Sequence, residues 1–175
     1  MADDSIQEGM LTMRLREASE ADFEDICRLF TSEQELFWIY PKGSYPFTPD
    51  QLRELYAVRR DLTVALHDDI VVGFANLYDF EPGSHVFIGN VVVAPEFRGK
   101  GLGRTLVAHM TGLAKNKYSL PEVRISVFGD NTKAVLLYSS FSFSPYTIEE
   151  RRDYSGRRVA LVHMKLKGNL SGSNT

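Results

Sequence analysis

Apolar and polar positions alternate over residues 11–16, with Leu11, Met13 and Leu15 on one side, which predicts a half-buried strand. The period then changes. Phe23, Ile26, Cys27 and Phe30 recur at helical spacing behind Ser19-x-x-Asp22, which resembles a capping box, so a first helix follows. Residues 35–47 are rich in aromatics but are interrupted by Pro41, Gly43 and Pro46, and no single regular element is expected there. Thr48-Pro49-Asp50-Gln51 supplies a cap, a proline at the first position and a glutamine three residues on. It opens a second helix that carries Leu52, Leu55, Tyr56 and Arg59. Residues 62–66 and 70–78 read as strands joined at His67-Asp68-Asp69, with Gly73 marking a bulge. After the turn Glu81-Pro82-Gly83-Ser84 comes a strand over 86–93, whose run Val91-Val92-Val93 suits burial on both faces. Leu102, Leu106, Met110 and Leu113 then mark a third helix packed on the sheet. A strand over 123–127 and a fourth helix capped by Asp130 or Asn131 come next. Strands over 143–151 and 158–166, turning at Asp153-Tyr154-Ser155-Gly156, complete the pattern.

One mixed α/β domain follows from this order, spanning residues 11–167. Its sheet is mostly antiparallel, with about seven strands flanked by about four helices. Residues 1–10 and 168–175 are polar and are expected to be a disordered lead-in and tail. The 175 residues suffice for a sizeable core, and 43% hydrophobic with 25% charged residues is the composition of a globular protein. A net charge of −3 argues against a general nucleic-acid binder. No apolar run approaches the length of about 18 residues that a membrane helix needs, and the acidic start is unlike a secretory signal. The lone Cys27 excludes an internal disulfide and reads as a small core residue. Together these features lead to an expectation of a cytoplasmic protein. His67, His109 and His163 have no ligand spacing, so no metal is expected.

The chemistry concentrates between the fourth strand and the third helix, at Arg98-Gly99-Lys100-Gly101-Leu102-Gly103. Three alternate glycines bring backbone amides close to a ligand with no Cβ in the way. They open a helix whose first turn has unpaired N–H groups and partial positive charge. Arg98, Lys100 and Arg104 add cations. Turn and helix start together form an anion site, most simply for a phosphate or pyrophosphate. The nucleoside-triphosphate loop is excluded because no GxxxxGK with Ser or Thr exists. The dinucleotide fingerprint fits Gly99 and Gly101 but meets Arg104 at its third glycine, and it normally opens the first βαβ unit.

The remaining pattern, (Arg/Gln)-x-x-Gly-x-(Gly/Ala), is matched by Arg98, Gly101 and Gly103, and it resembles the acyl-CoA pyrophosphate loop of GCN5-related N-acetyltransferases. A second set agrees. Asn131, Ala134, Tyr138 and Phe141-Ser142-Phe143 resemble that family's Asn…Ala…Tyr…Gly-Phe signature, with Ser142 where the family usually has glycine. Residues 131, 134 and 138 share one helix face. The resemblance implies the acyl-CoA N-acyltransferase fold and acetyl transfer from acetyl-CoA to a primary amine. Residues 98–104 would hold the diphosphate, and Val91 and Val93 would pair with the pantetheine arm. Asn131 and Ala134 would flank that arm, and the Val93 N–H, or a neighbour's, would take the oxyanion. Tyr138 would be the general acid at the sulfur.

The same resemblance places a glutamate on strand four in many relatives, but here that region reads Phe87-Ile88-Gly89-Asn90. The base is left among Glu81, His85, Glu33, Glu35 and a water chain. Phe37, Trp38, Tyr40, Tyr45 and Phe47 can wall a pocket for an amine by stacking or cation–π contact, or can pack against the core or a partner subunit, as in a homodimer. The acceptor is a small-molecule amine or a protein N-terminus, with the aromatic segment favouring the former. The alternative from another class is a CoA-binding sensor or scaffold without turnover, for which the missing strand-four carboxylate is the best support.

Overall fold

The computed structural model describes residues 13–166, so the expected lead-in and tail lie outside the described residues. A single seven-stranded sheet runs through it in the order β1-β2-β3-β4-β5-β7-β6. The strands are β1 (Met13–Glu17), β2 (Arg60–His67), β3 (Ile70–Glu81), β4 (His85–Val93), β5 (Glu122–Phe128), β6 (Phe143–Arg152) and β7 (Arg158–Leu166). Five α-helices accompany them: α1 (Phe23–Arg28), α2 (Glu33–Ile39), α3 (Pro49–Val58), α4 (Leu102–Gly112) and α5 (Thr132–Ser140). Every strand pair is antiparallel except β4 with β5, the two joined by the crossover through α4.

Local chemistry explains most of these elements. Asp22 closes the α1 entry by accepting the Ser19 backbone N–H at 2.8 Å, while Arg16 grips both of its carboxylate oxygens at 2.7 and 2.8 Å. That grip holds the Asp22 carboxyl down at about 2. Thr48 caps α3 as expected, accepting the Gln51 N–H. Asp68 and Asp69, with φ of 48° and 62°, form the two-residue turn between His67 and Ile70, a geometry matched to the twist of its strands. Gly73 sits beside a register shift in β3, where a Cβ would stand 3.1 Å from Leu106 and 3.4 Å from Leu102. Its absence lets α4 lie close on the sheet.

One expectation is corrected. The aromatic segment opens within a regular element, the helix α2, which brings the α-helices among the described residues to five. The proline and glycine breakers all lie beyond Ile39, where α2 ends. Ser32 caps it by accepting the Glu35 N–H at 3.1 Å, and Leu36 and Phe37 are buried. Phe37 and Phe47 are core residues and Tyr45 is largely exposed, so only Trp38 and Tyr40 of the five aromatics face the cleft described below.

Ser142, just after α5, has φ of 69°. A residue with a Cβ is strained in this left-handed region by about 1 kcal/mol. Ser142→Gly is therefore expected to raise the melting temperature by about 2–4 °C. A scanning-calorimetry melt that is unchanged or lowered would show that this turn carries no strain.

Candidate active site

β4 and β5 pair only from His85 with Glu122 to Ile88 with Ile125. Beyond that point they part, and the gap opens into a cleft of about 1210 Å³ lined from both faces of the sheet. The parting coincides with a bulge in β4. Phe74 pairs with Val92 but Asn76 pairs with Gly89, so one extra β4 residue is accommodated, and Asn90 takes φ of 52°. Asn90 is held there by two bonds. Its Oδ1 accepts from Asn76 Nδ2 at 2.7 Å, and its Nδ2 donates to the Ile39 carbonyl at 2.9 Å, tying the bulge to the end of α2. The Ala94 N–H bonds to the Val72 carbonyl of β3 at 2.8 Å. Alternation along the strand then aims the Val93 backbone groups the other way, into the gap. Val91 and Val93 both line the cleft.

The glycine turn stands at one mouth of this gap. Gly99 and Gly101 have φ of 71° and 87°, and nothing lies within 4 Å of where their Cβ atoms would be. Thr105 is the first α4 residue whose N–H finds a helical partner, the Gly101 carbonyl at 3.0 Å. The N–H groups of Leu102, Gly103 and Arg104 therefore have no helical acceptor. Open space, left-handed glycines and an unpaired helix start fit a diphosphate. Gly103 serves packing as well, since a Cβ there would meet Leu137 of α5 at 3.3 Å.

The cations around the turn have distinct placements. Arg104 lines the cleft, bonded to Ser140 Oγ at 2.7 Å. Arg98 also lines it, but its guanidinium is engaged, by Val93 O at 3.0 Å and Glu35 Oε2 at 2.7 Å. Lys100 lies off the cleft lining, with its ammonium 5.5 Å from the Phe97 ring centre. The Leu102 side chain is buried in the core, so only its backbone N–H faces an anion.

α5 supplies the opposite wall. Asn131 is its cap, accepting the Ala134 N–H on Oδ1 at 3.4 Å, and both residues line the cleft. Tyr138, two turns along, is 7% exposed and lines the cleft too. Burial pushes its phenol far above the ordinary range, and the nearby Tyr78 adds to this. Tyr138 is thus a proton-bearing donor throughout the working pH range.

Five further residues were not read as site residues from the sequence. Arg59 caps the end of α3 and lays its guanidinium 4.0 Å from the centre of the Tyr78 ring, inside the cleft. Burial pushes the Tyr78 phenol up, against the pull of the Ser126 hydroxyl and of Arg59. Ser126 Oγ lies 2.7 Å from His163 Nδ1, and His163 Nε2 lies 3.0 Å from Glu149 Oε2. An ionised Glu149 can only accept, so Nε2 carries the proton and Nδ1 accepts from Ser126. A polar chain thereby runs from the cleft, where Ser126 and His163 lie, to a half-exposed carboxylate. Of the expected bases, only Glu35 lines the cleft, and Arg98 neutralises it. Glu81 and His85 sit at the paired end of β4, and Glu33 borders a separate surface dent beside Tyr154.

The chain and its fold resemble those of known proteins. The model of the acetyltransferase (GNAT) family matches residues 23–143. A thialysine N-ε-acetyltransferase of Mus musculus is 26% identical over 157 residues, covering 81% of this chain and 89% of that protein. A mycothiol acetyltransferase of Nocardiopsis dassonvillei is 44% identical over 71 residues, covering 40% of this chain and 20% of that protein. Among solved structures, spermidine N-acetyltransferase of Vibrio cholerae in complex with CoA and spermine superposes with a TM-score of 0.74 at 21% identity, covering 88% of this chain and 94% of that one. Ribosomal-protein-S18-alanine N-acetyltransferase of Escherichia coli gives 0.70 at 21% identity, with coverage of 94% and 99%. No helix among the described residues is long and apolar enough to cross a membrane. With the family match spanning more than half of its length, the chain belongs to the GNAT family of acetyltransferases, as an N-acetyltransferase that draws its acetyl group from acetyl-CoA.

Proposed function

We propose that the acceptor is the primary amine of a small molecule, and that it attacks the thioester directly. The observation that carries the reading is the parting of β4 and β5 in front of the unpaired start of α4. Backbone amides of residues 99–104 take the diphosphate, and the free edge of β4 at Val91 and Val93 takes the pantetheine arm. The Val93 N–H then points at the thioester carbonyl, where preorganised amides typically contribute about 3 kcal/mol to the transition state.

The neutral amine nitrogen adds to the carbonyl carbon, leaving an oxyanion, and the carbon–sulfur bond breaks as that oxyanion collapses and the nitrogen loses its proton. Tyr138 meets the leaving thiolate with its hydroxyl, and its raised affinity for the proton keeps it a neutral hydrogen-bond donor to the sulfur throughout. Ser126, His163 and Glu149 carry the ammonium proton outward. A small acceptor is supported by Tyr154, whose hydroxyl donates to the Gly43 carbonyl at 2.6 Å and joins the β6–β7 turn to the loop after α2. Gly43 packs against Tyr40, which lines the cleft.

Tyr138→Phe is expected to lower kcat about a hundredfold while shifting KM for acetyl-CoA only a few-fold. Steady-state thiol release checks this, and an unchanged kcat would remove Tyr138 from the reaction. His163→Gln is expected to lower turnover about tenfold or more at neutral pH. That deficit shrinks as the pH approaches about 10, where an alkyl amine loses its own proton. A pH–rate profile superimposable on that of the parent would show that the Ser126, His163 and Glu149 chain moves no proton.

A further inference from the structure

We infer that the acceptor carries an anionic group, in the simplest case a carboxylate, alongside its amine, and that Arg59 anchors it. This inference rests on the transferase reading above and specifies its acceptor.

The two faces of the sheet can be told apart by register. Gly73 faces α4, since a Cβ there would touch Leu102 and Leu106. Period two along β3 then places Phe74, Asn76 and Tyr78 on the opposite face. Asn76 confirms this through Asn90, which bonds to the Ile39 carbonyl of α2. Arg59 and Tyr78 therefore stand across the sheet from α4, on the side from which the acceptor must approach. The site there is constructed for a guanidinium. A Cβ on Gly89 would lie 2.7 Å from the Tyr78 ring and 3.0 Å from Arg59 Nη1, so the bare glycine is what admits both.

The guanidinium lacks an anionic partner. Its Nη1 is sealed from solvent with no hydrogen-bond acceptor, and Arg59 forms no ion pair within 4.0 Å among the described residues. The Tyr78 ring face offsets part of the cost of burial, but a desolvated cation ordinarily has a carboxylate or phosphate beside it. Of the three carboxylates that line the cleft, Glu35 is used by Arg98 and Asp130 by Trp38 Nε1 at 3.0 Å, while Asp79 makes no ion pair among the described residues. Asp79 is felt by Arg59 only through space. Lys42 adds further positive charge to the lining, whereas Arg151 there is paired with Glu149 at 3.0 Å. Such a wall repels a polycation and suits an amine that brings its own negative charge, which a planar guanidinium can take in two parallel hydrogen bonds.

The test uses thiol release from acetyl-CoA with ω-amino acids of graded chain length, each beside its carboxamide and the matching diamine. The wild-type protein is expected to favour at least one acid over its carboxamide by about tenfold or more in kcat/KM, as charge-assisted hydrogen bonds imply. Arg59→Gln should bring that ratio towards one, mainly through KM, and Arg59→Lys should keep part of it. The wild-type comparison decides even where a variant fails to fold. Carboxamide or diamine turnover equal to that of the acid at every length would overturn the inference and leave the transferase reading intact, as would an acid preference that survives in Arg59→Gln. Absence of thiol release with every amine would overturn both.

Discussion

Two parallel strands that stop pairing halfway along their length govern this molecule. Ile88 and Ile125 are the last partners, and beyond them the β4 backbone facing β5 has no strand beside it, the Val93 carbonyl being taken by Arg98. In a folded interior that would cost about 1–3 kcal/mol for every unpaired group, so such an edge persists only where water or a ligand completes it. The bulge at Asn90 makes the parting a feature of the fold. Asn76 and the end of α2 fix Asn90 in a left-handed conformation, and the strand beyond it is redirected so that Val93 addresses the gap. The fold builds a strand-shaped vacancy and places the start of α4 at its end.

Charge is distributed to match. The chain as a whole carries −3, yet the turn before α4 gathers Arg98, Lys100 and Arg104 around amides that are themselves electropositive. Arg98 has a second duty. By bonding both Val93 O and Glu35, it links the diphosphate side of the sheet to α2 on the other face. Across the sheet from α4, Arg59 is stacked on Tyr78, while Tyr138 stays neutral through burial. Neutral donor, free amide and cations together suit a reaction in which negative charge moves first to an oxygen and then to a sulfur.

What the sequence disclosed follows the range of the interactions. The strand, glycine turn and amphipathic helix are contiguous, so their order and the candidate anion site at Gly101 and Gly103 could be read directly. Asn131, Ala134 and Tyr138 lie within one helix and were equally plain. Glu33 to Ile39 was hidden because Pro41, Gly43 and Pro46 dominate the segment, although Ser32 and Glu35 carried a capping signal just before it. The aromatic run divided into core and cleft residues because α2 turns Phe37 inward and leaves Trp38 outside. Arg59 with Tyr78, and Ser126 with His163 and Glu149, depend on register between distant strands. Ser126 meets His163 only because β5 pairs with β7, and Tyr78 reaches the cleft only because Gly89 on the next strand has no side chain. No local periodicity encodes such meetings.

The central claim is that the open edge of β4 and the glycine turn hold acetyl-CoA together. Calorimetric titration of acetyl-CoA into the intact protein and into Gly101→Val tests it most directly, because φ of 87° at Gly101 admits no branched side chain without moving the turn. The account predicts saturable binding to the parent protein, and an affinity at least about tenfold weaker in the variant, with the circular dichroism spectrum retained. Equal affinity in the two proteins, or no heat of binding in either, would contradict it.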